Sequence, residues 1–263
     1  MNVLQAMVLG LIQGLTEFLP VSSSGHLVLI QNIMGVDSGS GYYLFFDTML
    51  HLGTLAAVIY VLRKDIMNIL RHPLGMLMRL LVVATVPSVI IALLFSDFLE
   101  HTFGGSYLGG AFIITGLLLV FAEMFSRPNR KFSAATYKDA LFMGVAQGIA
   151  LLPGVSRSGA TISGGLLSGL NRDVAARFSF LMSIPAIIGS VVFQAKDILD
   201  TGIGSVHWTP IIIGTLVAAI SGLFAIKFML GFVKKHKLYG FAVYVFILGA
   251  LVVLDQTVSH FIF

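Results

Sequence analysis

The chain has 263 residues, of which 57% are apolar and only 11% charged, and its mean hydropathy is +0.96. That leaves too few charges to cover a water-facing surface, which excludes a soluble domain and indicates an integral membrane protein. A net charge of +4 in so apolar a chain is no argument for nucleic acid, and the absence of cysteine rules out disulfides, thiolate metal sites and a Cys nucleophile.

The first apolar region, residues 2–35, is broken near its middle by LPVSSSGH, and each piece is too short to cross a bilayer. No Lys or Arg precedes Arg63, so this region lacks the basic flank of a cleavable signal and is expected to belong to the mature protein. Spans of about 20 residues are then predicted at 42–62, 76–95 and 107–125. A second broken region follows at 138–170, interrupted by LPGVSRSGAT, and three more spans are predicted at 178–195, 208–229 and 238–254. Tyr42, Tyr43, Tyr107 and Trp208 sit at span ends, as interfacial anchors do.

Broken apolar pairs suggest re-entrant hairpins, in which non-helical backbone is tolerated at membrane depth because protein or a polar cavity surrounds it. An internal repeat supports this. Shifting the chain by 134 places Gln13-Gly14 on Gln147-Gly148 and Val21-Ser22-Ser23-Ser24-Gly25 on Val155-Ser156-Arg157-Ser158-Gly159. The six spans pair in order at nearly the same offset. Each half, 1–130 and 135–263, is then one hairpin plus three crossings, and an odd number of crossings inverts the second half. The predicted architecture is a single all-α membrane domain, 1–263, with six transmembrane helices plus two re-entrant broken-helix hairpins in an inverted-topology repeat.

Basic residues collect in cytoplasmic loops. With the loop from Arg63 to Arg79 inside, all of the sixteen Lys and Arg except Lys196 and Arg157 fall on inside segments. Both termini are then expected outside, together with Ser38, Ser205 and Ser259, while Asn68 and Asn129 are expected inside. The two hairpin tips would approach from opposite leaflets and meet near the middle of the bilayer.

In the first hairpin, Gln13 and Glu17 share a helical face, and Ser22, Ser23, Ser24 and His26 follow the break. A carboxylate at this depth must be neutralised. Either the serines hold it in a purely structural role, or Glu17 ligates a divalent cation. His26, beside these groups, is a candidate acid, base or nucleophile. In the second hairpin Arg157, flanked by Ser156 and Ser158 with Gly154, Gly159 and Thr161 close by, has the makings of an anion cradle; the structural alternative is a snorkelling arginine at the inner interface. Asp47 and His51 share a face of the first span, either as supporting groups or as a cap and an interfacial residue. Metal and Arg to neutralise phosphate oxygens, with Ser or His to attack or move protons, is the inventory for phosphate-ester or phosphoanhydride chemistry. The membrane location points to an amphiphilic substrate.

QGLTEFLPVSSSGH and PGVSRSGAT resemble the motifs of the bacterial undecaprenyl-diphosphate phosphatases, also called bacitracin-resistance proteins, and the resemblance covers essentially the whole chain. It implies a multi-pass plasma-membrane hydrolase that removes the terminal phosphate of undecaprenyl diphosphate, regenerating the lipid carrier for peptidoglycan and other wall polymers and conferring resistance to bacitracin. It further implies a divalent cation, Mg²⁺ or Ca²⁺, held by Glu17 and Gln13. Catalysis would fall to Glu17, Ser23, His26 and Arg157, with Gln13, Ser22, Ser24, Ser156, Ser158 and Thr161 contacting the substrate. The resemblance allows Glu or Gln at position 13, and this chain has Gln, so a metal would be held with less charge than in members with Glu there. The expected partners are the polyprenyl diphosphate and membrane lipid, with no nucleic acid; a homodimer is left open, as is the nucleophile (Ser23, His26 or water). The rival from another class is a flippase or secondary transporter built on the same inverted repeats. A second phosphatase family with a Pro-Ser-Gly-His signature ranks low, because the histidine that should follow Ser156-Arg157 is missing: His207 is too distant.

Overall fold

The computed structural model describes all residues except 37–40, 96–97, 99–104, 106, 202–205, 260–261 and 263, and only the backbone of 193, 195–201 and 259. Ser38 and Ser205 therefore lie outside the described residues, as do the side chains of Lys196 and Ser259. The described residues are helical, with no strand beyond one isolated parallel bridge between Arg130 and Leu170.

Helix α1 (Val3–Phe18) opens on a reciprocal cap. The Asn2 side chain accepts from the Gln5 backbone N–H at 2.8 Å, and Gln5 Oε1 accepts from the Asn2 N–H at 3.0 Å. It stops where Pro20 forces Leu19 into an extended conformation, ψ 147°. Helix α2 (Ser23–Ile33) restarts from Ser22, whose hydroxyl accepts from Gly25 N–H at 3.3 Å. Helices α3 (Gly41–Val61), α4 (Arg63–Arg71), α5 (Met76–Leu94) and α6 (Leu108–Phe125) complete the first half. Helix α7 (Tyr137–Ile149) carries the same reciprocal cap from Thr136 and Asp139. Helix α8 (Arg157–Leu167) restarts from Ser156, which accepts from Gly159 N–H at 3.0 Å. Helices α9 (Arg172–Thr201), α10 (Trp208–Lys235) and α11 (Tyr239–Leu254) follow.

Among the described residues six helices are long and apolar enough to cross a membrane: α3, α5, α6, α9, α10 and α11, the last counted on to Val258. The predicted spans match them, but α9 runs from Arg172 to Thr201 rather than from 178 to 195, and α10 runs on to Lys235 rather than 229. Helices α1, α2, α7 and α8, of 16, 11, 13 and 11 residues, rise about 16–24 Å at 1.5 Å per residue, short of a hydrocarbon core of about 30 Å. Large apolar side chains such as Leu93, Leu117, Phe224 and Ile247 are exposed on the helix surfaces, an outer coat suited to lipid.

Lipid gives helices no hydrophobic reason to associate, so close backbone approach and polar contacts must hold them together. Helix α1 lies against α10, where a Cβ at Gly10 would stand 2.3 Å from the Gly214 carbonyl oxygen and one at Gly14 only 2.4 Å from that of Ala218. Helix α7 lies against α5 in the same manner, with a Cβ at Gly144 2.3 Å from the Ala84 oxygen. Between these layers Phe18, Leu119, Met143, Phe180 and Met229 are fully buried in the largest apolar cluster. At one end of the bundle, Asp173 pairs with Arg177 and Lys234, Arg177 with Asp65, and Arg172 with buried Glu123. This gathers segments that the charge pattern had assigned to a common face.

Candidate active site

The two chain breaks meet in space. Ser158 Oγ, in the second, donates to the Leu19 carbonyl of the first at 2.8 Å. A Cβ on Gly25 would sit 3.0 Å from Gly154 Cα, and Gly154 itself has φ +91°, so glycine is required at both for backbone to touch backbone. Thr115 of α6 fixes the second break, accepting from Ser156 N–H at 2.9 Å and donating to the Gly154 carbonyl at 3.3 Å. The first break contains Ser22 at φ +72°, the sole non-glycine with positive φ among the described residues, immediately before Ser23.

At this junction Arg157 Nη2 donates to Glu17 Oε1 at 2.6 Å. Ser23 Oγ donates to Glu17 Oε2 at 2.6 Å and Gln13 Nε2 donates to the same oxygen at 3.1 Å. The second Gln13 amide hydrogen goes to His51 Nδ1, 2.7 Å away. Glu17 is 7% exposed and the Arg157 side chain 16%, so each charge depends on the other. Breaking such a pair from one side costs about 3–5 kcal/mol. Two atoms of the cluster are buried with no protein partner: Arg157 Nη1, a donor, and Gln13 Oε1, an acceptor. A guanidinium nitrogen in this state suits an anionic oxygen, and a bare amide oxygen suits a cation or a donor.

The remaining predicted residues are engaged nearby. Ser24 Oγ lies 3.3 Å from Ser22 Oγ, and Ser156 Oγ 3.2 Å from Ser158 Oγ. Thr161 Oγ1 donates within its own hairpin to the Arg157 carbonyl at 2.8 Å and meets Ser179 of α9 at 2.6 Å. No hydrogen bond joins His26 to Glu17. Its Nδ1 lies 2.6 Å from the Ser22 carbonyl and its Nε2 2.7 Å from the Tyr244 hydroxyl of α11. Asp47 and His51 part company: Asp47 accepts from Gln31 Nε2 at 3.0 Å on both oxygens, while His51 joins Gln13. Among the described residues no three His, Asp or Glu side chains gather to hold a metal ion. The oxygens that fit a divalent cation are the bare Gln13 Oε1 and the Glu17 carboxylate, a set that suits an ion completed by substrate oxygens.

A family described as bacitracin resistance protein BacA matches residues 6–251. A protein named undecaprenyl-diphosphatase from Carboxydothermus hydrogenoformans is 48% identical, covering 99% of this chain and 100% of its own. Undecaprenyl-diphosphatase 3 of Bacillus cereus is 43% identical at 99% and 100% coverage, and the undecaprenyl-diphosphatase of Halothermothrix orenii 42% at 97% and 98%. The chain belongs to the BacA family. Both motifs that led to the resemblance, QGLTEFLPVSSSGH and PGVSRSGAT, lie inside the region that matches BacA. Tyr244, Thr115 and Ser179 escaped sequence reasoning. They lie 218, 41 and 18 residues from the groups they touch, and a lone Tyr, Thr or Ser in an apolar span carries no local signal.

Proposed function

We propose that this chain hydrolyses undecaprenyl diphosphate to undecaprenyl phosphate and inorganic phosphate in the bacterial plasma membrane, recycling the lipid carrier for wall synthesis. The observation that carries this is the buried Glu17–Arg157 pair at the junction of two chain breaks, with Arg157 Nη1 and Gln13 Oε1 uncommitted beside it. The names of the full-length relatives agree with it.

Arg157 binds a phosphoryl oxygen through its free Nη1 and keeps Glu17 ionised through Nη2. Ser156 and Ser158 line the same break, with hydroxyls 3.2 Å apart, and Ser22 and Ser24 line the opposite one. Thr161 holds the Arg157 backbone in place from behind. Glu17 accepts the Ser23 hydroxyl, so the attacking oxygen is Ser23 Oγ or a water in its position, with Glu17 as proton acceptor. His26, with both ring nitrogens engaged, serves protons rather than attack. Gln13 Oε1 and Glu17 would hold Mg²⁺ or Ca²⁺, which when bound supplies neutralisation of diphosphate charge.

The fold is read as a single domain of two inverted repeats, 1–130 and 135–263, with α1–α2 and α7–α8 as re-entrant hairpins and both termini outside. Support comes from the lengths of these four helices, from the equivalent caps Ser22 and Ser156, and from the reciprocal packing of α1 on α10 and α7 on α5. The deciding experiment is purified protein in detergent with undecaprenyl diphosphate. Phosphate release that requires a divalent cation and disappears in Glu17→Ala and Arg157→Ala is the expected result, and Ser23→Ala separates serine attack from water attack. Headgroup movement in proteoliposomes without hydrolysis overturns the reading in favour of a flippase.

A further inference from the structure

The imidazole of His26 is held on every side, and the way it is held fixes its chemistry. A backbone carbonyl can only accept, so the 2.6 Å contact between His26 Nδ1 and the Ser22 oxygen places a hydrogen on Nδ1. In the neutral ring Nε2 is then the bare nitrogen, and the Tyr244 hydroxyl 2.7 Å away donates to it. The two rings stack, with centroids 5.7 Å apart and planes 12° from parallel, while Phe112 meets the imidazole edge-on at 5.4 Å. Phe112 is fully buried and His26 7% exposed, but Tyr244 is 46% exposed. Of the groups around the ring, the tyrosine is therefore the one with room to move.

We infer that Tyr244 is a positioning residue for His26: its hydroxyl occupies Nε2, keeps that nitrogen as the ring's proton acceptor, and stands in for the water or phosphate oxygen that Nε2 serves during turnover. The alternative ring orientation, turned by 180° about the Cβ–Cγ bond, would set carbon atoms against both the Ser22 oxygen and the Tyr244 hydroxyl, so the two contacts together select one orientation and one tautomer. With the hydroxyl deleted only the carbonyl hydrogen bond remains to select the ring's orientation. No hydrogen bond joins His26 to Ser23 or Glu17, so the proton path through Nε2 is separate from the Ser23–Glu17 hydrogen bond. This division of labour rests on the phosphatase reading; the state of the nitrogen does not.

The test is Tyr244→Phe, which keeps the stacked ring and removes one oxygen. With undecaprenyl diphosphate in detergent, kcat is expected to fall about 10- to 100-fold while KM stays within about twofold. In a His26→Ala background the same substitution is expected to cost nothing further, because a residue acting through His26 has nothing left to act on. Independently of activity, carbethoxylation by diethyl pyrocarbonate, mapped by mass spectrometry, is expected to modify His26 several-fold faster in Tyr244→Phe than in the parent, since the bare nitrogen is uncovered. An unchanged kcat, an equal loss in both backgrounds, or an unchanged rate of His26 modification overturns the inference. A parent protein without phosphatase activity, but with hydroxyl-dependent protection of His26, overturns the functional reading and leaves the cap standing.

Discussion

The two hairpins share a frame and differ in what they carry. At the shift of 134 the residues that shape the backbone recur: Gly10 and Gly144, Gly14 and Gly148, Ser22 and Ser156, Gly25 and Gly159. The groups with charge or basicity do not: Glu17 faces Leu151 in the alignment, Ser23 faces Arg157, and His26 faces Ala160. Gln13 and Gln147 are both buried, but the first serves Glu17 and His51 while the second donates to Ser88 at 3.0 Å. Had the frame brought together two identical tips, two carboxylates or two guanidiniums would have met without a counter-charge at a cost no packing offsets. The matching residues shape the backbone of each tip, and the pair works because the two tips differ where they touch.

The strongest way to break the comparison is to write the second hairpin's residue into the first. Glu17→Leu strands Arg157 in a buried position, and phosphate release is expected to fall by at least about a thousandfold. The unfolding free energy, followed by thermal melting in detergent, is expected to drop by about 3–5 kcal/mol. A variant that keeps its stability would mean that Arg157 has found solvent.

Equivalent glycines should respond unequally. A methyl at Gly14 would lie 2.4 Å from the Ala218 carbonyl oxygen and 2.8 Å from Gly222 N, whereas at Gly148 the nearest atom is the tip of Ile91, at 2.2 Å. Backbone cannot retreat and a side-chain end can. Gly14→Ala is expected to cost about 1–3 kcal/mol and Gly148→Ala clearly less, measured by melting of both variants side by side.

The serine caps are expected to be closer to equal. Ser22→Ala and Ser156→Ala each leave a glycine N–H without its hydroxyl acceptor, worth about 1 kcal/mol. Activity should fall more in the Ser156 variant, because that cap seats Arg157.

The smallest effect concerns acid. Burial pushes the Asp139 carboxyl up, but hydrogen bonds from Arg130 and from the Thr136 backbone and hydroxyl, with the Arg130 charge, outweigh it and hold the group below the usual carboxylate range. A carboxylate depressed on folding stabilises above its unfolded pKa of about 3.9, and that contribution is lost as pH falls through the folded value. The Asp139 contribution to the melting temperature is therefore expected to be constant from neutrality down to about pH 4 and to decline below it. Asp139→Asn should remove this part of the decline.

Composition made the helical membrane character of the chain legible in the sequence. The six spans came from hydropathy to within a residue or so at most ends. The misses at α9 and α10 share a cause: hydropathy reports where lipid is, and a helix continues past it. Arg172 and Asp173 begin α9, and Lys234 and Lys235 close α10, as polar turns joined by ion pairs. At the candidate site, the residues on the two motifs were legible because each motif lies on one short stretch of chain. What they touch was not. Nothing near Gln13 announces His51, and the pairing of His26 with Tyr244 is set by how α11 packs beside α6. Asp47 shows the converse: its helical spacing to His51 suggested a common task, yet Gln31 claims it.

The hydrogen bond from Ser158 to the Leu19 carbonyl has a bearing on the cell as well as on the reaction. A protein that puts ionised groups deep within a bilayer risks short-circuiting the proton-motive force across it. Where the two breaks are sewn directly to one another, hydroxyl to carbonyl and glycine against glycine, protein atoms fill the seam at those points.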